Sequence, residues 1–495
     1  MKIPAIIANT LAVFVMLSAQ EIVWLKRFDT GRFDSWACGA IDQWGNVIVA
    51  GVAADDYSGL NADVILIKYN PEGETLWTRT YNSGEWDYVR DCAVGNDGGV
   101  VVVGAYSPSD DCFIMKYNRN GDLLWLKKDT TGCDSSIHNF TSVLIDDSLN
   151  IYVTGIISHI HNGQHDNILL RKYDFDGNLL LSKEVDFGNN MERIHWLVFT
   201  PDGNISGAGE VGDWDYWYFD LFTAKFTRGW DTIWTRRLDV KNEDFGGGIA
   251  ADPQGNIYCA ADVAQYFGNF VPDSCVTYSY SPDGELTWFR IFSDGDLAGG
   301  TCILLDNTGN LLVGGFTMDT LPISSEGALL LCYKTDGTLK WNWQYKLESE
   351  DCYFLDIVGN EPGVIYGIGE IYQSPDSCDL MVMKLHYPVG LETQEFAAGP
   401  NSVNMCNSTL LVGNKPLPFT VTQPADYRIV LYDLTGREVE RLYQGQLGIG
   451  EYRLPIRTNL RNGVYLVRIE AGGEVQTGKV ISGKVAVIEL CEILI

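Results

Sequence analysis

The stretch DVILIKYNPEGETLWTRTY, from Asp63 to Tyr81, decides the fold. Apolar residues alternate up to Lys68 and Tyr69, a Pro-Glu-Gly turn follows, and a second run centres on Trp77. That is the pattern of two antiparallel strands joined by a tight turn. It returns as DCFIMKYNRNGDLLWLKK, DNILLRKYDFDGNLLLSKE, DLFTAKFTRGWDTIWTRR, DSCVTYSYSPDGELTWFR and GALLLCYKTDGTLKWNW. The tryptophan position falls at Trp77, Trp125, Leu181, Trp234, Trp288 and Trp341, in steps of 48, 56, 53, 54 and 53 residues. A period of about 50 residues in an all-strand pattern predicts a β-propeller.

Each repeat also carries a preceding hairpin, from WACGAIDQWGNVIVAG near the start to YFLDIVGNEPGVIYGIGE near the end. Four strands per blade follow, A to D, with Gly-Asn or Asp-Gly at several A to B turns. The A-B-C sets number seven, and the last, ending at DLMVMKLHYP, has no D strand after it. EIVWLKRFDTG, at the other end, has the look of a D strand bearing Trp24 without strands before it. The expectation is a seven-bladed ring in which Ile22 to Phe28 pairs with Leu380 to Leu385, hiding two sheet edges.

The flanks differ from the ring. MKIPAIIANTLAVFVMLSAQ reads as a secretory signal peptide over residues 1–19, cleaved after Ala19, and its apolar run is short for a bilayer span. No later segment is long and apolar enough to span a membrane, so the mature protein is expected outside the cytoplasm, secreted or on the outer surface. With 35 basic against 65 acidic residues the formal charge is -30, which repels nucleic acid and anionic lipid. The propeller is expected over residues 20–387, a polar linker over 388–404, and a small strand-rich sandwich over 405–495.

YVTG at Tyr152 to Gly155, followed by DNILLRKYDFDGNLLLS, is similar to bacterial extracellular β-propeller repeats, and AIDQWGNVIVAG resembles half of an NHL-type repeat. The resemblance implies the fold; such propellers host many unrelated activities. The C-terminal segment resembles the sorting domain of the type IX secretion system, through the Asp-x-x-Gly-Arg turn of Asp433, Gly436 and Arg437 and the Gly-Val-Tyr strand of Gly463 to Tyr465. That likeness implies export machinery as a partner and delivery to the outer surface. An Ig-like accessory domain without sorting activity is the other reading. The D-strand motif is also similar to the tryptophan repeats of quinone-dependent dehydrogenases, but no matching set of cofactor ligands is found.

Chemistry is sparse. The sequence holds no paired Cys/His spacing for zinc, no Ser/His/Asp arrangement and no Gly-rich phosphate loop, so neither a metal nor a cofactor is assigned. The 12 cysteines follow the blade repeat and read as small core residues. One pair, Cys259 and Cys275, is expected to sit opposite across strands B and C of blade 5 if the loop between them is symmetric, in reach of a disulfide.

The B to C and D to A loops are long, and variable loops on a rigid scaffold carry recognition. Trp36, Trp86, Trp214, Tyr216 and Trp217 on that face are therefore candidate ligand contacts. Asp34, Asp87, Glu192 and Asp244 each lie 17 residues ahead of Gly51, Gly104, Gly209 and Ala261, which places them around the channel mouth. They either cap backbone turns or attract a cation or basic group. The function expected is non-catalytic binding of an extracellular glycan or protein. An extracellular polysaccharide-degrading enzyme is the alternative, and a quinone-dependent dehydrogenase a distant third.

Overall fold

The computed structural model describes residues 20–387 apart from 108–110, 130–135, 160–164, 189–190, 214–217, 242, 266–270, 293–296, 320–325, 348 and 375–376, together with strand segments between 403 and 482. The expected signal peptide with Ala19, and the expected linker but for 403 and 404, lie outside the described residues. The chain divides into two units, Met1–Gly390 and Leu391–Ile495.

The first unit is a ring of seven four-stranded blades. In blade 1 the strands are A Phe33–Ile41, B Val47–Ala54, C Asp63–Tyr69 and D Thr75–Tyr81. Strand B is buried at every position, whereas D alternates between exposed and half-buried, as expected of an outer edge. Strand D of blade 7 comes from the other end of the chain: Glu21–Phe28 pairs antiparallel with Ser377–His386, with Ile22 opposite Leu385 and Phe28 opposite Leu380. This is the pairing that the half-blade count requires.

Every A strand has a register shift near its middle, at Ser35/Cys38, Val89/Asp91, Phe140/Ser142, Ile194/Trp196, Gly246/Ile249, Gly300/Cys302 and Phe354/Asp356. Such bulges bend a strand and raise its twist.

The repeated tryptophan is a staple between blades. Trp77 of blade 1 donates its Nε1 proton to the Arg119 carbonyl of blade 2 at 3.2 Å, and a Cβ on Gly121 would come within 2.9 Å of its ring. Trp24, Trp125, Trp234 and Trp288 donate in the same way to Pro71, Phe175, Pro282 and Thr335. Where an arginine follows two residues later, it adds a bond to the turn glycine: Arg79 to Gly121, Arg236 to Gly284 and Arg290 to Gly337. The turn glycine is needed twice over, for its left-handed backbone and for the space the ring occupies.

Buried carboxyls join inner strands. Asp91 accepts from Ser142 Oγ and Val143 N, both at 2.8 Å, and Asp356 accepts from Gly39 N at 2.9 Å. Desolvation pushes their pKa values up to about 6 and about 7.

The second unit has a five-stranded sheet ordered Thr409–Leu411, Glu474–Ser482, Gly463–Ala471, Ala425–Asp433, Glu438–Leu447, and a three-stranded sheet of Val403–Asn404, Leu417–Val421 and Gly450–Leu454. Tyr427, Ile429, Val430, Leu431, Leu447 and Leu454 supply its described core.

Candidate functional site

On the long-loop face, the four spaced carboxylates turn away from solvent. Asp34, Asp87, Glu192 and Asp244 are each 0% exposed. Asp34 accepts from Thr30 N and Oγ1, Asp87 from Ser83 N and Oγ, Glu192 from Phe187 N, and Asp244 from Val240 N and Lys241 N. They cap the D to A connections instead of lining an open mouth, because each stands at the start of an A strand with the connection folded over it. Desolvation pushes Asp34 up to about 6 and Asp244 to about 7, and raises Asp87.

The aromatic candidates separate. Trp36, in the left-handed region at φ 55, packs on Tyr88 with ring centroids 4.8 Å apart, and Arg90 lies 5.7 Å from its ring. Trp86 packs half-buried on the core shared by blades 1 and 2. Neither is a free-standing platform. Trp214, Tyr216 and Trp217 lie outside the described residues.

The same face holds a cavity of about 500 Å³ between blades 6 and 7, lined by Glu326, Asp351, Tyr353, Tyr372 and Gln373. Tyr353 and Tyr372 stack at 5.9 Å and both donate to buried Glu370. Burial, then the charge of Asp351, raises the pKa of Glu326.

The expected pairing of Cys259 with Cys275 is corrected by the register. Cys259 stands opposite Tyr278, and Cys275 opposite Asp262, three places away. An odd offset sends the two side chains to opposite faces of the blade. Cys259 packs towards blade 4, near Thr223, while the Cys275 sulfur faces Gly300 of blade 6, and both thiols are free. The connection is asymmetric, with a register shift between Val263 and Gln265 that the sequence did not announce.

The short-turn face carries what the sequence reading missed. A groove of about 690 Å³ runs between blades 1 and 2, lined by Trp44, Leu76, Trp77, Lys68, Arg119 and Asn120. Trp44 is 51% exposed. Leu76, at 52%, is exposed much as Leu124, Leu180 and Ile233 are at the same D-strand position of other blades, so Trp44 is what sets this groove apart. Trp44 sits in the A to B turn, where its amide bonds Asp42 Oδ1 at 2.9 Å. Its ring rests over Gly98 of the next blade, where a Cβ would approach within 2.7 Å. The floor is a buried ion pair, Lys68 to Asp42 at 2.8 Å. Burial alone would raise the Asp42 pKa, but bonds from Lys68 and Asn46 bring it below the usual carboxylate value. Arg79 is committed to backbone carbonyls of Gly121, Thr78 and Asn120. Among the described residues, the Arg119 guanidinium and the Asn120 side-chain amide have no protein partner. The signal was Trp44 in the string QWGN, the one A to B turn with an aromatic residue where the others carry small, polar or proline residues.

In the C-terminal unit, the backbone register sets Asp433 directly opposite Tyr465, so the two halves of the motif meet on neighbouring strands. Gly463 opens its strand opposite Ser482, and Arg437 is exposed just before Glu438–Leu447. Gly436 lies outside the described residues. Residues 417–483 match the secretion system C-terminal sorting domain. The sorting domain directs the protein through the type IX machinery, so it is secreted or held at the outer-membrane surface.

Solved structures similar to the chain include a protein of unknown function from Dyadobacter fermentans, at 9% identity and a TM-score of 0.43, covering 75% of this chain and 100% of that one. The β-propeller domain of the Trilobed protease from Pyrococcus furiosus matches at 9% identity and a TM-score of 0.41, covering 73% and 99%. The acylaminoacyl peptidase of Pyrococcus horikoshii matches at 10% identity and a TM-score of 0.40, covering 79% of this chain and 57% of that one. No curated protein matches the sequence. Among the described residues no helix is long and apolar enough to cross a membrane.

Proposed function

We propose that the exported propeller is a non-catalytic binding module for an extracellular glycan, held in the groove between blades 1 and 2. The observation that carries this reading is the exposed Trp44 beside Leu76, with the uncommitted Arg119 guanidinium and Asn120 amide at the same groove. An aromatic face packs on the C–H face of a sugar ring while planar polar groups fix its hydroxyls or a carboxylate. Arg119 favours an acidic sugar, since a guanidinium pairs with a carboxylate in a planar, two-bond fork.

The test is a glycan array probed with the mature chain. Trp44→Ala should lower binding at least about tenfold, given the energy of aromatic contacts, without changing the melting temperature. If Trp214→Ala with Trp217→Ala abolishes binding and Trp44→Ala does not, the ligand sits on the long-loop face. The acid pair Glu326 and Asp351, with the tyrosines beside it, supports a second reading as a polysaccharide-cleaving site. Release of reducing ends that disappears in Glu326→Gln would establish it.

A further inference from the structure

Carboxylates at one kind of position meet in threes at two junctions between blades. At the junction of blades 4 and 5, Asp220 on a C strand, Asp239 after the D strand and Asp244 on the next A strand bring an oxygen each within 4.8 Å of one another. The register explains it: Leu221 faces Leu238, so Asp220 and Asp239 are side by side at the strand ends, and the next A strand begins beneath them. At the junction of blades 7 and 1, Asp379, Asp29 and Asp34 repeat the arrangement.

The two clusters differ in what already serves them. Asp379 accepts from Gln373, Asp29 from Gly31 N at 2.6 Å, and Asp34 from both the amide and the hydroxyl of Thr30. In the other cluster Asp244 is capped in the same way by Val240 N and Lys241 N, and the difference lies at Asp220, which is 1% exposed and whose Oδ1 has no hydrogen-bond donor. Its second oxygen pairs with Arg237. A buried carboxylate oxygen without a donor keeps its desolvation cost uncompensated, so a partner from outside the chain is favoured there. Nearby positive groups are Arg237, committed to Asp220, and Lys241, whose Nζ reaches Ser274 Oγ at 3.1 Å. Asp239 is exposed and gives access to water.

We propose that Asp220, Asp239 and Asp244 bind a calcium-like divalent cation at the junction of blades 4 and 5. Three carboxylates around one point, with water completing the shell through the exposed side, suit a hard cation that accepts six to eight oxygens in flexible geometry. Magnesium, which demands near-ideal octahedral geometry and gives up water reluctantly, suits this unequal set less well. The ion would tie the outer and inner strands of one blade to the next, outside the groove assigned to the glycan.

The experiment uses the full mature chain stripped with a chelator. Burial, then the nearby carboxylate of Asp239, raises the pKa of Tyr218, which thus lies close enough to sensitise terbium luminescence from the site. Terbium should give a saturable signal that calcium chloride displaces, with magnesium chloride at least tenfold weaker. Asp239→Asn, the exposed and least structural change, should reduce terbium and calcium affinity at least tenfold while leaving the circular dichroism spectrum intact. Asp220→Asn should do the same, whereas Asp379→Asn at the other junction should leave affinity unchanged. The proposal is overturned if the stripped protein gives no saturable terbium signal, if magnesium competes as well as calcium, or if Asp239→Asn binds as the wild type does. A carbon NMR titration showing a proton shared between Asp220 and Asp244 in the presence of calcium would also overturn it.

Discussion

The junction between blades 3 and 4 solves the stapling problem differently from its neighbours. At the junctions made by Trp77, Trp125, Trp234 and Trp288, the ring is on the D strand and a left-handed glycine lies beneath it in the next blade's turn. At blade 3 the D-strand position is Leu181, and the turn position that is Gly73, Gly121, Gly177, Gly284 and Gly337 elsewhere is Trp230. Trp230 keeps the left-handed backbone at φ 62, against 75 to 81 for Gly73, Gly121 and Gly177, although a large side chain there is strained. Its ring is fully buried and packs edge-on against Tyr152 and Phe226. The same space is filled by one indole in both cases, supplied from opposite sides. The volume at the junction is therefore what the fold fixes, and the residue that fills it is exchangeable.

Breaking the exchanged junction should give the largest effect. Trp230→Gly relieves the backbone strain but leaves a void that Leu181 cannot fill, so it should cost about 3 kcal/mol or more in urea unfolding. Adding Leu181→Trp to that variant recreates the arrangement of the neighbours and should recover most of the loss. A double variant no more stable than Trp230→Gly would show that the two positions do not share one volume.

The opposite perturbation is smaller. Gly284→Ala puts a Cβ 2.9 Å from both the Trp234 ring and the Arg236 guanidinium, at φ 82. Overpacking and left-handed strain together predict a loss of about 2 kcal/mol, with m unchanged. In a Trp234→Leu background, which itself loses packing, the further cost of Gly284→Ala should be smaller, because only the Arg236 contact and the backbone strain remain.

How much of this was legible follows from which interactions are periodic. The repeat of Trp77 and its equivalents, the half-blades at the two ends and the sorting motif were plain, because each is a local pattern or a count. Leu181 was visible as a break in the pattern, yet its compensation by Trp230 required knowing that the D strand of one blade covers the turn of the next. Direction was equally hidden. The 17-residue spacing of Asp34, Asp87, Glu192 and Asp244 is real, but a spacing does not say whether a carboxylate faces a channel or a folded-back loop. The Cys259 and Cys275 pairing failed because the register lies three places from the symmetric one, and an odd offset sends the two side chains to opposite faces of the sheet. Trp44 was in view within a hairpin turn, and only the offset of blade 2 makes it a groove wall.

A difference in chemistry between junctions should appear in the pH dependence. Blades 7 and 1 are joined through Asp356, pushed up to about 7, while blades 3 and 4 are joined through Thr141 Oγ1, which donates to the Ile194 carbonyl at 2.6 Å. A carboxyl whose folded pKa lies above its ordinary value of 3.8 contributes stability fully below about pH 4, and loses it as pH rises through the folded pKa. The melting temperature should therefore carry a decline between about pH 4 and pH 7 that Asp356→Asn reduces. Thr141→Val should lower the whole curve without changing that slope. An unchanged slope in Asp356→Asn would mean that the carboxyl titrates as it does in the unfolded chain.

The smallest effect sharpens the comparison most, because it separates the ring from its N–H. Trp234 donates to the Pro282 carbonyl at 3.0 Å, whereas Trp230 Nε1 is buried without a hydrogen-bond partner. Replacing each by Phe removes the donor and keeps an aromatic ring. At Trp234 a made bond is lost, leaving the Pro282 carbonyl with the longer bond from Lys225 Nζ at 3.3 Å, and the change should destabilise by about 1 kcal/mol. At Trp230 the same substitution removes a group whose desolvation nothing offsets, so the smaller ring's lost packing is opposed by a gain of about 1–3 kcal/mol. Trp230→Phe should thus be the milder of the two by about 1 kcal/mol or more. Equal losses would mean that packing alone governs both sites and that the direction from which the indole enters carries no polar consequence.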